Sequence, residues 1–231
     1  MEDFQKKINI IYEDNHIIVV EKPVNIPTCE DSSKDLDLLT MLKMYLKNKY
    51  NKPGNVYLGL LHRLDRPVGG LMVFAKTSKA ASRLTEQIKN NEFKKKYYAV
   101  IDGTINKKEG IFEDYLLKDN KNNKVIVDKK GKYASLDYKV LDEKDNMSLV
   151  EINLHTGRSH QIRVQFSSRN YSLFGDQKYN KKAIRHEQIA LYSHFLSFKH
   201  PITKEEMIFN LDLPKRYPFN LFSQKPNQES S

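Results

Sequence analysis

Apolar and polar positions change period several times along this chain. Residues 8–22, "INIIYEDNHIIVVEK", read as two β-rich runs separated by the turn "EDNH", and they end at Lys22-Pro23. Downstream, "DSSKDLDLLTMLKMYLKNKY" sets Leu38, Leu39, Leu42 and Leu46 at helical spacing, with Asp35 and Asp37 read as beginning the helix. "SKAASRLTEQIKNNEF" predicts a second helix opened by Thr77 or Ser78, with Ala81, Leu84 and Ile88 on one face. "KKKYYAVIDGTI" reads as a strand turning near Asp102-Gly103, and residues 110–155 alternate like short antiparallel strands joined by polar hairpins. At "TGRSHQIRVQFSSRN" the period becomes helical: Thr156-Gly157 makes a turn, Ser159 can cap, and Ile162 and Phe166 lie one turn apart. "IALYSHFLSFKHPITKEEMIFNLDL" returns to strands, with Pro201 in the hairpin between them. No internal repeat or long linker divides the chain. The pattern predicts one α+β domain over residues 1–222 and a polar, disordered tail at 223–231.

One stretch resists this reading. In "LLHRLDRPVGGLMVFAKT", residues 60–77, a histidine, two arginines, an aspartate and a Gly-Gly pair interrupt good strand material. Taken alone, Asp65 is either a loop aspartate in a surface ion pair or a carboxylate held at a strand end for nucleophilic work. On the second reading Pro67 and Gly69-Gly70 permit close approach of a ligand backbone. Such a carboxylate needs an orienting cation, because an unpaired buried charge is costly.

Charge narrows the choice. Lys+Arg of 39 against Asp+Glu of 29 leaves +10 on 231 residues, which points to a polyanionic partner or to a merely lysine-rich soluble protein. The chain uses only eight arginines, and four stand in two short stretches: Arg63 and Arg66 in "HRLDR", Arg158 and Arg163 in "TGRSHQIR". The guanidinium fork suits bidentate pairing with carboxylate or phosphate, which lysine does not imitate. Arg158 at a helix start would make a phosphate site, and Tyr97 or Tyr98 could present an aromatic platform for a base. The lysines at 129–132 and 178–182 read as solvated loops that could also touch phosphates. A single cysteine, Cys29, excludes an intramolecular disulfide, and the scattered histidines make a metal site unexpected. No nucleotide-cofactor motif, signal peptide or bilayer-length apolar run occurs, so no cofactor, no membrane and a cytoplasmic location are expected.

Read in order, these stretches resemble the RluA-type pseudouridine synthases, which isomerise uridine in ribosomal and transfer RNA. "HRLD", then "YYAVIDG" as YxAxxxG, then "TGRSHQIR" followed by "FGDQKY" are similar to the family's successive motifs, and together they are specific where "HRLD" alone is weak. The resemblance implies the pseudouridine synthase fold: a mixed, largely antiparallel sheet in two halves, flanked by helices, with a central RNA-binding cleft. It implies that Asp65 is the catalytic aspartate, that Tyr97 stacks on the target base and that Arg163 pairs with the aspartate. It further implies that Arg63 helps occupy the space of a flipped nucleotide. His62, Arg66, Arg158 and His160 complete the expected RNA-contacting set, and a monomer without metal or cofactor is expected. Where the family commonly reads x-x-T-S-G after the aspartate, this chain has Arg66-Pro67-Val68-Gly69-Gly70, a departure that bears on loop shape and specificity. The S4-type RNA-binding module that many relatives carry ahead of this domain is not expected here. Asp65 could act by attack on ribose C1′ or by abstraction of the C2′ proton; the sequence leaves both open. A non-catalytic RNA-binding protein of the same fold is the alternative.

Overall fold

The computed structural model describes residues 8–119, 121–122 and 124–222, so the polar segment 223–231 lies outside the described residues. Among them are three α-helices and a large, mostly antiparallel sheet. The chain forms two compact units. One takes the described residues up to Lys96 together with Ser193–Asn210; the other takes Tyr97–Tyr192 and the described residues from Leu211 onward.

In the first unit, β1 (Asn9–Glu13) and β2 (Ile17–Lys22) form the hairpin expected around "EDNH". Asp14 closes it by accepting the backbone N–H groups of His16 and Ile17 at 2.7 and 2.8 Å. β2 pairs antiparallel with β4 (Gly69–Ala75), placing Ile18 opposite Phe74 and Val20 opposite Met72. Beyond β4 come β10 (Leu191–Lys199) and β11 (Glu206–Asn210), while the short β3 (Gly59–Leu60) also pairs with β4. β2 and β4 are buried along nearly their whole length, and so they read as continuous apolar runs rather than alternating ones.

Gly70 decides how closely β4 and β10 approach. Its φ is +117°, and a Cβ there would lie 2.2 Å from the Ser193 carbonyl oxygen. The expectation that this glycine admits a ligand's backbone is therefore corrected. The backbone it admits is the protein's own.

Helix α1 (Leu38–Lys49) starts where Asp37 accepts the Thr40 N–H at 3.0 Å, and it buries Leu38, Leu42 and Leu46. Asp35 is not part of that start, since its carboxylate pairs with Arg66. Helix α2 (Ser78–Lys89) is capped by Thr77. Its buried face is Ala80, Leu84 and Gln87, slightly rotated from the expected Ala81–Leu84–Ile88 stripe. Gln87 turns inward because its amide exchanges two 2.8 Å hydrogen bonds with the Lys199 backbone, which satisfies its polar atoms in the interior.

β5 (Lys94–Asp102) and β10 each run from one unit into the other. In the second unit the strand order continues from β5 to β9 (Met147–Leu154), β8 (Lys132–Lys144), β6 (Glu109–Asp119) and β7 (Lys124–Val127). The pairs among the last four are antiparallel. Helix α3 (Gln161–Ser167) packs Val164 against Leu116, Val125 and Ala134. A second cluster joins Val100, Leu149, Ala190, Tyr192 and Phe219.

Ser159 does not cap α3, contrary to the sequence expectation. The N-cap is His160, in the left-handed region at φ 51° and without a side-chain cap bond. The lead-in is held from inside the helix instead. Gln161 accepts the Arg158 N–H at 3.0 Å and the Thr156 hydroxyl at 2.7 Å, and donates to the Ser135 carbonyl at 3.0 Å.

Candidate active site

The residues singled out by the motifs fall on both units. His62, Arg63, Asp65 and Arg66 belong to the first; Tyr97, Arg158, His160 and Arg163 belong to the second.

Between β3 and β4 the chain leaves regular structure, and Asp65 sits there between two buried anchors, Leu64 and Val68. The Asp65 carbonyl accepts the Val68 N–H at 2.9 Å, closing a four-residue turn over Arg66-Pro67. Residues far away in sequence grip the backbone on both sides of the aspartate. Before it, the Thr28 hydroxyl donates to the Leu64 carbonyl at 2.8 Å and accepts the Leu64 N–H at 3.3 Å. After it, the Lys22 ammonium donates to the Arg66 carbonyl at 3.0 Å, and also to the Pro23 and Ile26 carbonyls at 2.9 and 2.6 Å.

Lys22 is only 1% exposed. Burial pulls its pKa down to about 7, and the charge of Asp65 opposes that pull. Three carbonyls match the three hydrogens of an ammonium, so the charged form fits this geometry. The sequence reading missed Lys22 and Thr28. A lysine ending the apolar run "IIVVEK" was the available signal, because alternation in β2 turns it to the same side as Val20.

The other side chains of the motif differ in setting. Arg63 is exposed and makes no hydrogen bond or ion pair among the described residues. Arg66 is held by the 31–35 loop, donating to the Ser33 hydroxyl at 2.9 Å and pairing with Asp35. His62 turns inward: its Nε2 accepts the Val73 N–H at 3.3 Å, and its ring lies 5.6 Å from that of Phe93. Burial, with the charge of Lys95 adding to it, pushes the pKa of His62 down to about 3, so the ring is neutral.

In the second unit Tyr97 is 6% exposed on β5. Arg163 lies on α3 and is also buried. Asp176 grips it in a bidentate pair, Nε to Oδ2 at 2.8 Å and the second nitrogen to Oδ1 at 2.7 Å. The guanidinium also lies over the Tyr179 ring, 5.2 Å from its centroid. Asp176 is fixed in turn by the backbone N–H groups of Lys178 and Tyr179 at 3.0 and 3.2 Å. Breaking a buried pair of this kind costs about 3–5 kcal/mol because the survivor is left uncompensated. Asp176, in "FGDQKY", is the partner of Arg163, and the sequence alone assigned it no role.

His160 Nδ1 and the Tyr179 hydroxyl are 2.7 Å apart, and Arg158 gives its Nε to the Tyr133 carbonyl at 2.8 Å. Arg158 is otherwise exposed. Among the described residues no three His, Cys, Asp or Glu side chains converge as metal ligands, and no helix is long and apolar enough to cross a membrane.

The family model described as RNA pseudouridylate synthase matches residues 16–168. The ribosomal large subunit pseudouridine synthase D of Zymomonas mobilis is 31% identical over 222 residues, covering 90% of this chain and 70% of the relative. An uncharacterized RNA pseudouridine synthase of Aquifex aeolicus is 32% identical over 223 residues, covering 91% and 71%. Among solved structures, human RNA pseudouridylate synthase domain containing 4 superposes with a TM-score of 0.79 at 21% identity. That superposition covers 95% of this chain and 93% of the human one, a likeness of fold.

Proposed function

The chain belongs to the RNA pseudouridylate synthase family, and from that premise we propose that its substrate is ribosomal RNA and that Asp65 performs the chemistry. The enzyme is an isomerase that converts uridine to pseudouridine in RNA. Ribosomal RNA is favoured over transfer RNA by the relative from Zymomonas mobilis, which is named for the large ribosomal subunit.

The observation that carries the assignment of Asp65 is the double grip on its neighbours. Thr28 clamps Leu64 and Lys22 holds the Arg66 carbonyl, so the aspartate's backbone is fixed from both sides. A positioned group of this kind is what catalysis by orientation needs. A stacked uridine is out of reach of a side chain and must leave its helix, at a cost of a few kcal/mol. Arg63, exposed and without an ion pair among the described residues, supports the role of filling the vacated space.

Asp65 then acts on the ribose in one of two ways. It attacks C1′ and releases uracil, or it takes the C2′ proton and yields a glycal. In either case the base turns, forms its new bond through C5 and loses the C5 proton, so no atoms are gained or lost overall. Tyr97, in our reading, stacks on the base and is our candidate to receive that proton, and Arg163, held by Asp176, is our candidate cation for the reaction.

The test compares pseudouridine maps of total RNA from cells with and without the gene, and from cells carrying Asp65→Asn. Sites in ribosomal RNA should vanish in both altered strains, while purified Asp65→Asn protein binds RNA within about a few fold of wild type. Near-wild-type turnover by the variant would remove Asp65 from the mechanism. Loss confined to transfer RNA would overturn the substrate.

A further inference from the structure

Lys95 is a largely buried lysine with no carboxylate partner among the described residues. It stands on β5 in the first unit at 9% exposure, and among the described residues its ammonium makes no hydrogen bond or ion pair. The ring of Phe93 has its centroid 6.0 Å away. That distance is the outer limit of a useful cation–π contact.

The other buried lysines of this unit are treated differently. Lys22 meets three carbonyls, and Lys76 meets Glu13 at 2.7 Å together with the Asp14 carbonyl. Burial lowers the pKa of Lys95 and no neighbouring carboxylate opposes it. Leaving an ammonium in this state is unfavourable in the free protein.

A second donor beside the same Phe93 ring is also unanswered. Because Val73 N–H donates to Nε2 of His62, the imidazole hydrogen is on Nδ1. That Nδ1 is closed off from solvent and has no partner among the described residues. Both His62 and Lys95 lie against Phe93, at 5.6 Å between rings and 6.0 Å from ammonium to ring, and the charge of Lys95 is felt at His62. Of the two donors, only the Lys95 ammonium reaches solvent, so it is the one that an arriving acceptor meets. His62 is three residues ahead of Asp65, so such a ligand adjoins the motif loop.

We propose that Lys95, on the Phe93 ring that His62 also packs against, forms a subsite for one backbone phosphate of the substrate RNA close to the reacting nucleotide. This rests on the reading of the chain as an enzyme acting on RNA. Most of the side chain is already out of water while the ammonium still reaches solvent, so an arriving phosphate oxygen meets a weakly screened charge.

The test uses the full chain and a short unmodified ribosomal RNA transcript spanning a uridine that the wild-type protein isomerises. Lys95→Met keeps the length and packing of the side chain and removes the charge. The free variant should melt at or above the wild-type temperature. Its RNA affinity should fall about tenfold or more, and the slope of log affinity against log salt should shrink by about 0.7–0.9. Lys95→Arg should restore most of the affinity. In a set of transcripts each carrying one neutral methylphosphonate linkage, a single linkage near the target should weaken wild type but not Lys95→Met further. If Lys95→Met is poorly folded, the same measurements on Lys95→Gln decide.

Wild-type affinity and salt slope in the charge-free variant would overturn the subsite. So would a fall in melting temperature with no linkage singled out, since that marks a structural role. A wild-type protein that isomerises no uridine in ribosomal RNA would instead overturn the functional reading on which the subsite depends.

Discussion

An ammonium has three hydrogens, and Lys22 gives one each to Pro23, Ile26 and Arg66. The first two bonds shape the loop leaving β2, and the third ties that loop to the residue after Asp65. Lys22→Met keeps the stem but leaves three carbonyls short of a donor in a buried place. Unmet buried acceptors cost about 1–3 kcal/mol each before relaxation, so stability should fall by roughly 2–5 kcal/mol. Because the same bond positions Asp65, kcat should fall more than KM rises. Lys22→Arg should not rescue, since a planar fork does not reproduce three divergent bonds. Urea unfolding and single-turnover kinetics on both variants check this; wild-type turnover in Lys22→Met would reduce the lysine to a packing role. Arg163 is held in the contrasting manner, by one carboxylate whose two oxygens match the guanidinium edge.

Two junctions between elements carry consequences of their own. At Gly70 the backbone of β4 meets that of β10 with no room for a side chain. Gly70→Ala adds backbone strain of about 1–3 kcal/mol and overpacking of similar size. A loss of roughly 2–5 kcal/mol is therefore expected in equilibrium unfolding, and an unchanged midpoint would show that the strands part easily. The second junction joins β1 to α1 and to the end of β4 through Glu13. Burial alone would raise the Glu13 carboxyl, but hydrogen bonds from Lys49, Lys76, Tyr50 and Tyr45 outweigh it and bring the pKa down to about 2. The resulting stability is fully present above the ordinary carboxylate value and disappears as pH falls through the lowered one, because the unfolded chain takes up the proton first. It amounts to roughly 3 kcal/mol. The stability gap between wild type and Glu13→Gln should therefore shrink as pH is lowered from about 5 towards about 2. A gap that stays constant over that range would show that the charge of Glu13 is not what its partners stabilise.

At the scale of the whole molecule, charge rather than shape sets the expected behaviour towards RNA. The chain carries +10, and lysines such as Lys129, Lys130, Lys181 and Lys182 are exposed. With roughly six phosphates engaged, affinity for RNA should fall by about three orders of magnitude between roughly 50 and 200 mM salt. Filter binding across that range is sufficient. A flat response would contradict a phosphate-dominated interface and weaken the case for a polyanionic substrate.

Local pattern determined a good deal on its own. The β1–β2 hairpin, the start of α1 at Asp37 and of α2 at Thr77, and the alternating strands of residues 109–154 follow from side chains within a few positions of one another. The arginine-rich stretches and Asp65 were legible because a charged, glycine-containing segment does not belong inside an apolar run. Tertiary structure decided the rest. Gln87 faces inward because the Lys199 backbone is there to bond it, and Gly70 faces a strand 123 positions away rather than a ligand. Thr28 and Lys22 support Asp65 across about forty residues, Asp176 aims Arg163, and Lys95 is largely buried with no anion beside it among the described residues. In sequence, a lysine at a strand end looks like any solvated charge. Whether water or protein surrounds its ammonium depends on what the distant chain packs against it, and desolvation of that kind leaves no trace in local periodicity.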